Sequence, residues 1–188
     1  IKGFATSEGT NRFRDNAIKK VKSYLHFKEF DDLILSSIGM GTYLGDLSKE
    51  DDIDIENALY ESVKSHAMNV IDSAINYRAM KSEKSIGRSI TRLVNDGIVS
   101  RDEIFVSTKN GYITNDGDYP MLDVWEYIQR MYISTGIIKA EDISSGYNVL
   151  NPAYIEKCIE RSRFNLKLDT IDLVYIHNAF ESWNQDVS

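Results

Sequence analysis

The chain has 188 residues, enough for one domain or slightly more at about 150 residues per domain, and enough to bury a real apolar core. Hydrophobic residues make up 42% and charged residues 27%, with 11 glycines and 2 prolines, which excludes fibrous, low-complexity and globally disordered classes. A formal net charge of −7 with no reversing basic patch argues against nucleic acid or an anionic membrane surface as a partner.

Taken in chain order, Ile1 to Lys22 is polar, basic and weakly periodic, and reads as an extended lead-in with at most a short helix at Asp15 to Lys22. Aromatic and aliphatic residues from Tyr24 to Leu35 flank a charged break and suggest a small hairpin, closing an N-terminal segment 1–35. Ser37 to Thr42 reads as a buried first strand running into a glycine turn. Ser48 and Asp51 resemble a capping box, after which Ile55, Ala58, Leu59 and Val63 share one helical face. The second strand is Asn69 to Ile71, stopping at Asp72. A helix follows from Ser82, with Ile86, Ile90, Leu93 and Val94 as its stripe and Asp96-Gly97 as its stop. Glu103 to Ser107 is the third strand and leads into Lys109.

The segment 110–150 is too long for a plain connection. Val124, Tyr127, Ile128 and Met131 predict a helix inside it, and its aromatics, Tyr112 and Trp125 among them, suit a substrate wall. A loop that follows a parallel strand lies at the strand's C-terminal edge, where ligands bind, so a helical lid is expected. Asn151-Pro152 then starts a third helix on Ile155, Cys158, Ile159, Ser162 and Leu166, with Cys158 as a core residue. Thr170 to Ile176 is the fourth strand, ending at His177. His26 and His66 read as surface residues. The single cysteine forms no internal disulfide, no Cys/His cluster suggests a metal, and a reducing, cytoplasmic setting is expected. No run approaches the ~20 apolar residues of a membrane-spanning helix, and no signal-peptide layout is present.

Strand and helix alternate four times, which predicts an α/β class with parallel strands. Strands two, three and four end at Asp72, Lys109 and His177, and the C-terminal edge of such a sheet is where ligands bind. Tyr77 lies five residues past Asp72 on the same loop. A phenol is a weak proton donor at neutral pH, and a neighbouring ammonium helps it release the proton to a carbonyl oxygen that gains negative charge. A carboxylate would hold the ammonium, and a neutral imidazole would orient the carbonyl. No side chain donates hydride, so carbonyl reduction here calls for a nicotinamide cofactor.

Five segments carry a family resemblance: Gly39 to Thr42, Ile71 to Tyr77, Ser82-Glu83 with Ile86 to Arg88, Arg101 to Lys109, and Leu168 to Asn178. In this order they resemble the aldo-keto reductases. The resemblance implies a (β/α)8 TIM barrel that binds NADPH, or less often NADH, in extended form without a Rossmann domain. It makes Tyr77 the general acid, Lys109 and Asp72 its tuners and His177 the substrate-orienting group. It also puts Thr42, Tyr43, Asp72 and Asn178 at the cofactor, with Tyr43 joining Tyr112 and Trp125 at the substrate.

Two departures from that pattern stand out. The interval from Lys109 to His177 is longer than usual by something like an extra subdomain. A closed barrel also needs about 250 residues and eight strands. With no initiator Met, the 188 residues are therefore expected to be the N-terminal half of the barrel, carrying the four catalytic positions without a complete cofactor site. The remaining half, in the same longer chain or an oligomer partner, is expected to complete it. The primary expectation is an NAD(P)H-dependent reductase of an aldehyde or ketone. The alternatives are a non-catalytic nicotinamide-binding redox sensor and an inactive fragment.

Overall fold

The computed structural model describes residues 1–20, 23–144 and 146–182. Its N-terminal segment holds more helix than the sequence pattern predicts. Helix α1 spans Ser7–Ile18, capped by the Thr6 side chain, which accepts from Gly9 N at 3.0 Å. Its buried side is Gly9, Thr10, Phe13 and Ala17, a stripe whose single bulky apolar residue is Phe13, so its hydrophobic period is weak. The helix presses so closely on the turn Arg101–Glu103 that a Cβ at Gly9 would meet Asp102 O at 2.1 Å. The expected short helix at Asp15 to Lys22 is thus corrected to an earlier, longer one; Val21 and Lys22 lie outside the described residues. Strands β1 (Phe27–Phe30) and β2 (Leu33–Ser36) form the expected antiparallel hairpin.

Beyond the hairpin run β3 (Met40–Gly41), helix α2 (Lys49–Lys64), β4 (Val70–Asp72), helix α3 (Lys81–Asn95) and β5 (Phe105–Asn110). The excursion's helix α4 (Val124–Ile128), helix α5 (Pro152–Leu166) and β6 (Leu173–Ile176) complete the elements. The four strands β3 to β6 are parallel and lie side by side in chain order. A doubly wound sheet reverses its strand order at some point, whereas a barrel does not, so this sequential order is that of a barrel sector. Helix starts follow their predicted signals. Ser48 Oγ accepts from Asp51 N at 3.0 Å before α2, and Asn151 caps α5 with Pro152 in its first turn. On α2 the buried positions are Asp52, Leu59, Tyr60 and Val63, while Ala58 faces solvent.

The main core lies between the sheet and α2 and α3, built on Leu59, Val63, Ile71, Ile86, Ile90, Leu93, Ile104 and Val106. The histidines read as surface residues have partners. His26 Nε2 lies 2.6 Å from Ala67 O, and the His66 ring lies 5.0 Å from that of Phe13.

The excursion has its own core, in which Ile113, Ile128, Ile138 and Val149 pack on Tyr154 and Cys158 of α5 and on Ile75 and Met80 of the β4–α3 loop. Its helix differs from the predicted stripe. After α4 the backbone takes a π-helical turn, Gln129–Ile133, whose wider step rotates the register. Met131 consequently faces solvent, and Tyr132 and Ile133 pack in its place. Among the described residues no helix is long and apolar enough to cross a membrane.

Candidate active site

The two-residue period of a strand decides which side chains reach the site. On β5, Val106, Thr108 and Asn110 face the helices: Thr108 Oγ1 donates to Glu83 Oε1 at 2.7 Å and Asn110 Nδ2 to Ser162 Oγ at 3.0 Å. Ser107 and Lys109 therefore project to the opposite face. The same alternation on β4 sends Ile71 into the core and Asp72 to the site face. Strand β5 runs three residues further than the sequence pattern indicates, to Asn110, so Lys109 is a strand residue whose direction the pleat sets.

Past the end of β4 the chain continues along its neighbour. Ser73 N donates to Ser107 O at 3.0 Å and Ile75 N to Lys109 O at 3.1 Å, which carries Tyr77 up to Lys109. The ammonium is 2.5 Å from Asp72 Oδ2 and 2.7 Å from Ser73 O, and stands 4.7 Å above the centre of the Tyr77 ring. Ser107 Oγ donates to the other carboxylate oxygen, Asp72 Oδ1, at 2.8 Å. His177 follows β6 directly, its backbone N–H donating to Asn110 O at 2.8 Å, and its ring stands edge-on to Tyr77 with 5.7 Å between centroids. Asp72, Tyr77, Lys109 and His177 thus meet at the C-terminal rim of the sheet.

The remaining predicted site residues divide. The exposed Tyr43 ring is edge-on to Tyr77 at 5.1 Å. Tyr112 flanks the opposite side, 4.9 Å from the His177 ring, and its hydroxyl accepts from Asn178 Nδ2 at 3.0 Å. Thr42 instead is buried, its hydroxyl donating to Ser73 Oγ at 3.0 Å, so it braces the end of β4. Trp125 lies on α4, with its ring 6.3 Å from that of Tyr147. The base of the excursion reaches the rim: Tyr112 bridges to Asn148, and Asn148 Nδ2 donates to His177 O at 2.7 Å. The bulk of the expected lid packs on α5 and the β4–α3 loop.

Three residues of this site were not picked out from the sequence. Ser107 was within reach, since it lies two residues before Lys109 on the same strand. Ser73 contributes through its carbonyl, and Asn148 has no local signal. Cys158 is buried, and desolvation pushes its thiol up to about 12, which removes it as a nucleophile.

These residues join a proton-bearing phenol to an ammonium fixed by a carboxylate, with an imidazole across the phenol ring and tyrosines on two flanks. Such a group can move a proton to a substrate oxygen. For a nicotinamide ring the exposed Tyr43 and the Asn178 amide are suitable neighbours, so the residues present fit that end of the cofactor. The cations of α3 and its approach are engaged elsewhere, Arg78 and Lys81 by Asp52 and Lys84 by Asp116 and Asp118.

Comparison with known proteins adds four findings. The Aldo/keto reductase family model matches residues 37–187. An NADPH-dependent D-xylose reductase from Meyerozyma guilliermondii is 24% identical over 143 residues, covering 76% of this chain and 31% of that protein. A holo-form aldo-keto reductase from Bacillus halodurans is similar in fold, with a TM-score of 0.50 and 19% identity over 85% of this chain and 43% of that one. A Bombyx mori aldo-keto reductase in complex with NADP gives 0.49 and 21%, covering 80% and 37% of the two chains. The chain therefore spans less than half the length of these proteins.

Proposed function

This chain belongs to the aldo/keto reductase family, a family of oxidoreductases, and on that premise we propose that its residues carry out the proton-transfer half of NADPH-dependent reduction of an aldehyde or ketone. One observation carries the reading: Lys109 Nζ is bound by Asp72 and Ser73 while it stands over the Tyr77 ring, with His177 across that ring. The D-xylose reductase relative is NADPH-dependent, which supports NADPH as the cofactor, with NADH as the comparator. When bound, the nicotinamide supplies the hydride.

Tyr77 gives its proton to the substrate oxygen as charge develops there, and Lys109 stabilises the phenolate left behind. Asp72, held by Ser107, keeps the ammonium beside the phenol. His177 orients the carbonyl, while Tyr43 and Tyr112 wall the substrate. The partners on this reading are a small carbonyl compound and the strands that continue the sheet beyond β6, in a setting that is cytoplasmic.

The test is a Tyr77→Phe exchange, read by NADPH oxidation with an aromatic aldehyde and, separately, by quenching of protein fluorescence on adding NADPH. Loss of turnover with quenching preserved is the expected result. Undiminished turnover removes the proton-donor role, and quenching without turnover in the unaltered protein replaces the reductase with a nicotinamide sensor.

A further inference from the structure

Directly after Tyr77, three successive residues with side chains take left-handed backbone: Arg78, Ala79 and Met80 have φ of 49°, 48° and 69°. L residues visit this region singly and at a cost, so a run of three persists only where its surroundings over-determine it. Two sets of contacts do so. On one side the Arg78 side chain is 1% exposed and reaches the approach to α2. Its Nε donates to Asp46 O at 2.7 Å, and its Nη2 donates to Asp52 Oδ1 at 2.8 Å and to Ser48 O at 3.3 Å. Lys81, just past the turn, takes the second oxygen of Asp52 at 2.6 Å.

On the other side the excursion closes against the turn. Gly117 N donates to Ala79 O at 2.8 Å, and a Cβ at Gly117 would meet Lys81 Cδ at 3.0 Å and both Ala79 Cβ and Ala79 O at 3.2 Å. The flanking carboxylates pin this approach: Asp118 pairs with Lys81 at 3.2 Å and Lys84 at 2.6 Å, and Asp116 pairs with Lys84 and with Arg161 of α5. The excursion therefore makes a second contact with the site, behind Tyr77 and separate from the one at Tyr112.

We infer that Arg78 and the segment 116–118 are the two jaws of a clamp that holds the left-handed turn and thereby sets where Tyr77 stands relative to Lys109 and His177. Arg78 and Gly117 are positioning residues, remote from the reacting atoms. The kinetic consequence rests on the reading of Tyr77 as proton donor; the geometric one does not.

The experiment measures nuclear Overhauser contacts from the Tyr77 ring to the Tyr43 and His177 rings in the full chain, with circular dichroism as the check on folding. Arg78→Leu is expected to remove these contacts and to lower kcat on the order of tenfold to a hundredfold with KM little changed, the effect of misplacing a reacting group. Arg78→Gly is expected to restore much of both, because glycine takes the left-handed conformation freely. An arginine that contributed only packing would leave the glycine variant no better than the leucine one, and that result overturns the proposal. If Arg78→Leu does not fold, Gly117→Val probes the second jaw from the surface. Unchanged Tyr77 contacts in a folded Arg78→Leu or Gly117→Val chain also overturn the clamp. Displaced rings with undiminished turnover uphold the clamp and dismiss Tyr77 as the donor.

Discussion

Lys109 stands over the face of Tyr77, 4.7 Å from its ring centre, while its ammonium is bound to Asp72 at 2.5 Å. The cation thus links the carboxylate to the phenol, and on the proposed function the three act as one unit. Lys109→Met and Asp72→Asn should each lower turnover on the order of 10²- to 10⁴-fold, the range for losing positioned acid–base assistance. The double variant should be barely worse than Lys109→Met, because a unit is disabled by its first loss. Steady-state kinetics of the three variants checks this, and additive losses would mean that Asp72 and Lys109 act separately.

At the opposite end of the sheet, Arg101 Nη2 and Asp172 Oδ2 are 2.7 Å apart with both side chains 4% exposed. Asp172 also accepts from Ala5 N and Val106 N, each at 2.7 Å, so the pair ties the N-terminal segment to β5. Removing one partner of a buried pair leaves a stranded charge. Arg101→Leu should therefore cost ~3–5 kcal/mol of stability. Urea unfolding should show a lower midpoint at an unchanged slope. A midpoint equal to that of the unaltered chain would show the pair to be dispensable.

The legible part of this molecule was the part written in local pattern. Asp72, Lys109 and His177 stand at strand ends that apolar runs mark out, and the hairpin, the caps of α2 and α5 and the stripe of α3 follow near-neighbour rules. Helix α1 has a weak signature because its buried side joins Phe13 to Gly9, Thr10 and Ala17, small or polar residues whose partners come from elsewhere in the chain: Asp102 closes on Gly9, and Ile34 N of β2 donates to the Thr10 hydroxyl. Met131 departs from the predicted stripe because it lies in a π-helical turn, which has no periodic signature. Arg78 carries no local signal, because its burial depends on Asp46 and Asp52, which another βα unit supplies.

Glu83 is fully buried among Thr108, Ser162 and Asn165, and desolvation raises its carboxyl above the ordinary 4.5 despite the hydrogen bonds that oppose the shift. In the unfolded chain the group ionises near 4.5, while in the folded chain it holds its proton to higher pH. Between those two values the folded state binds more protons, so stability falls as pH rises, by up to about 1.4 kcal/mol per pH unit. Above the raised value the loss is complete and the curve levels. Glu83→Gln should lack this decline. The difference between the two chains in urea unfolding, taken from pH 4 upward, isolates the residue from other titrating groups. A difference that stays flat with pH would mean that Glu83 folds ionised.

Helices α3 and α5 cross at Gly87, where an added Cβ would lie 2.4 Å from Asn165 O and 2.8 Å from the Leu166 carbonyl carbon. Both obstacles are backbone, so relief requires the helices to part, at the point where Asn165 and Thr108 grip Glu83. By helix propensity alone, Gly87→Ala would stabilise by about 1 kcal/mol. Overpacking of this kind costs ~1–3 kcal/mol, and separating two helices falls at the upper end, so the net effect should be destabilising. Gly41→Ala, where no atom lies within 4 Å, is the control and should stay within about 0.5 kcal/mol of the unaltered chain. Thermal unfolding of the two variants decides the matter: a Gly87→Ala chain that melts as high as the control would mean that the helix crossing is wider than 2.4 Å contact allows.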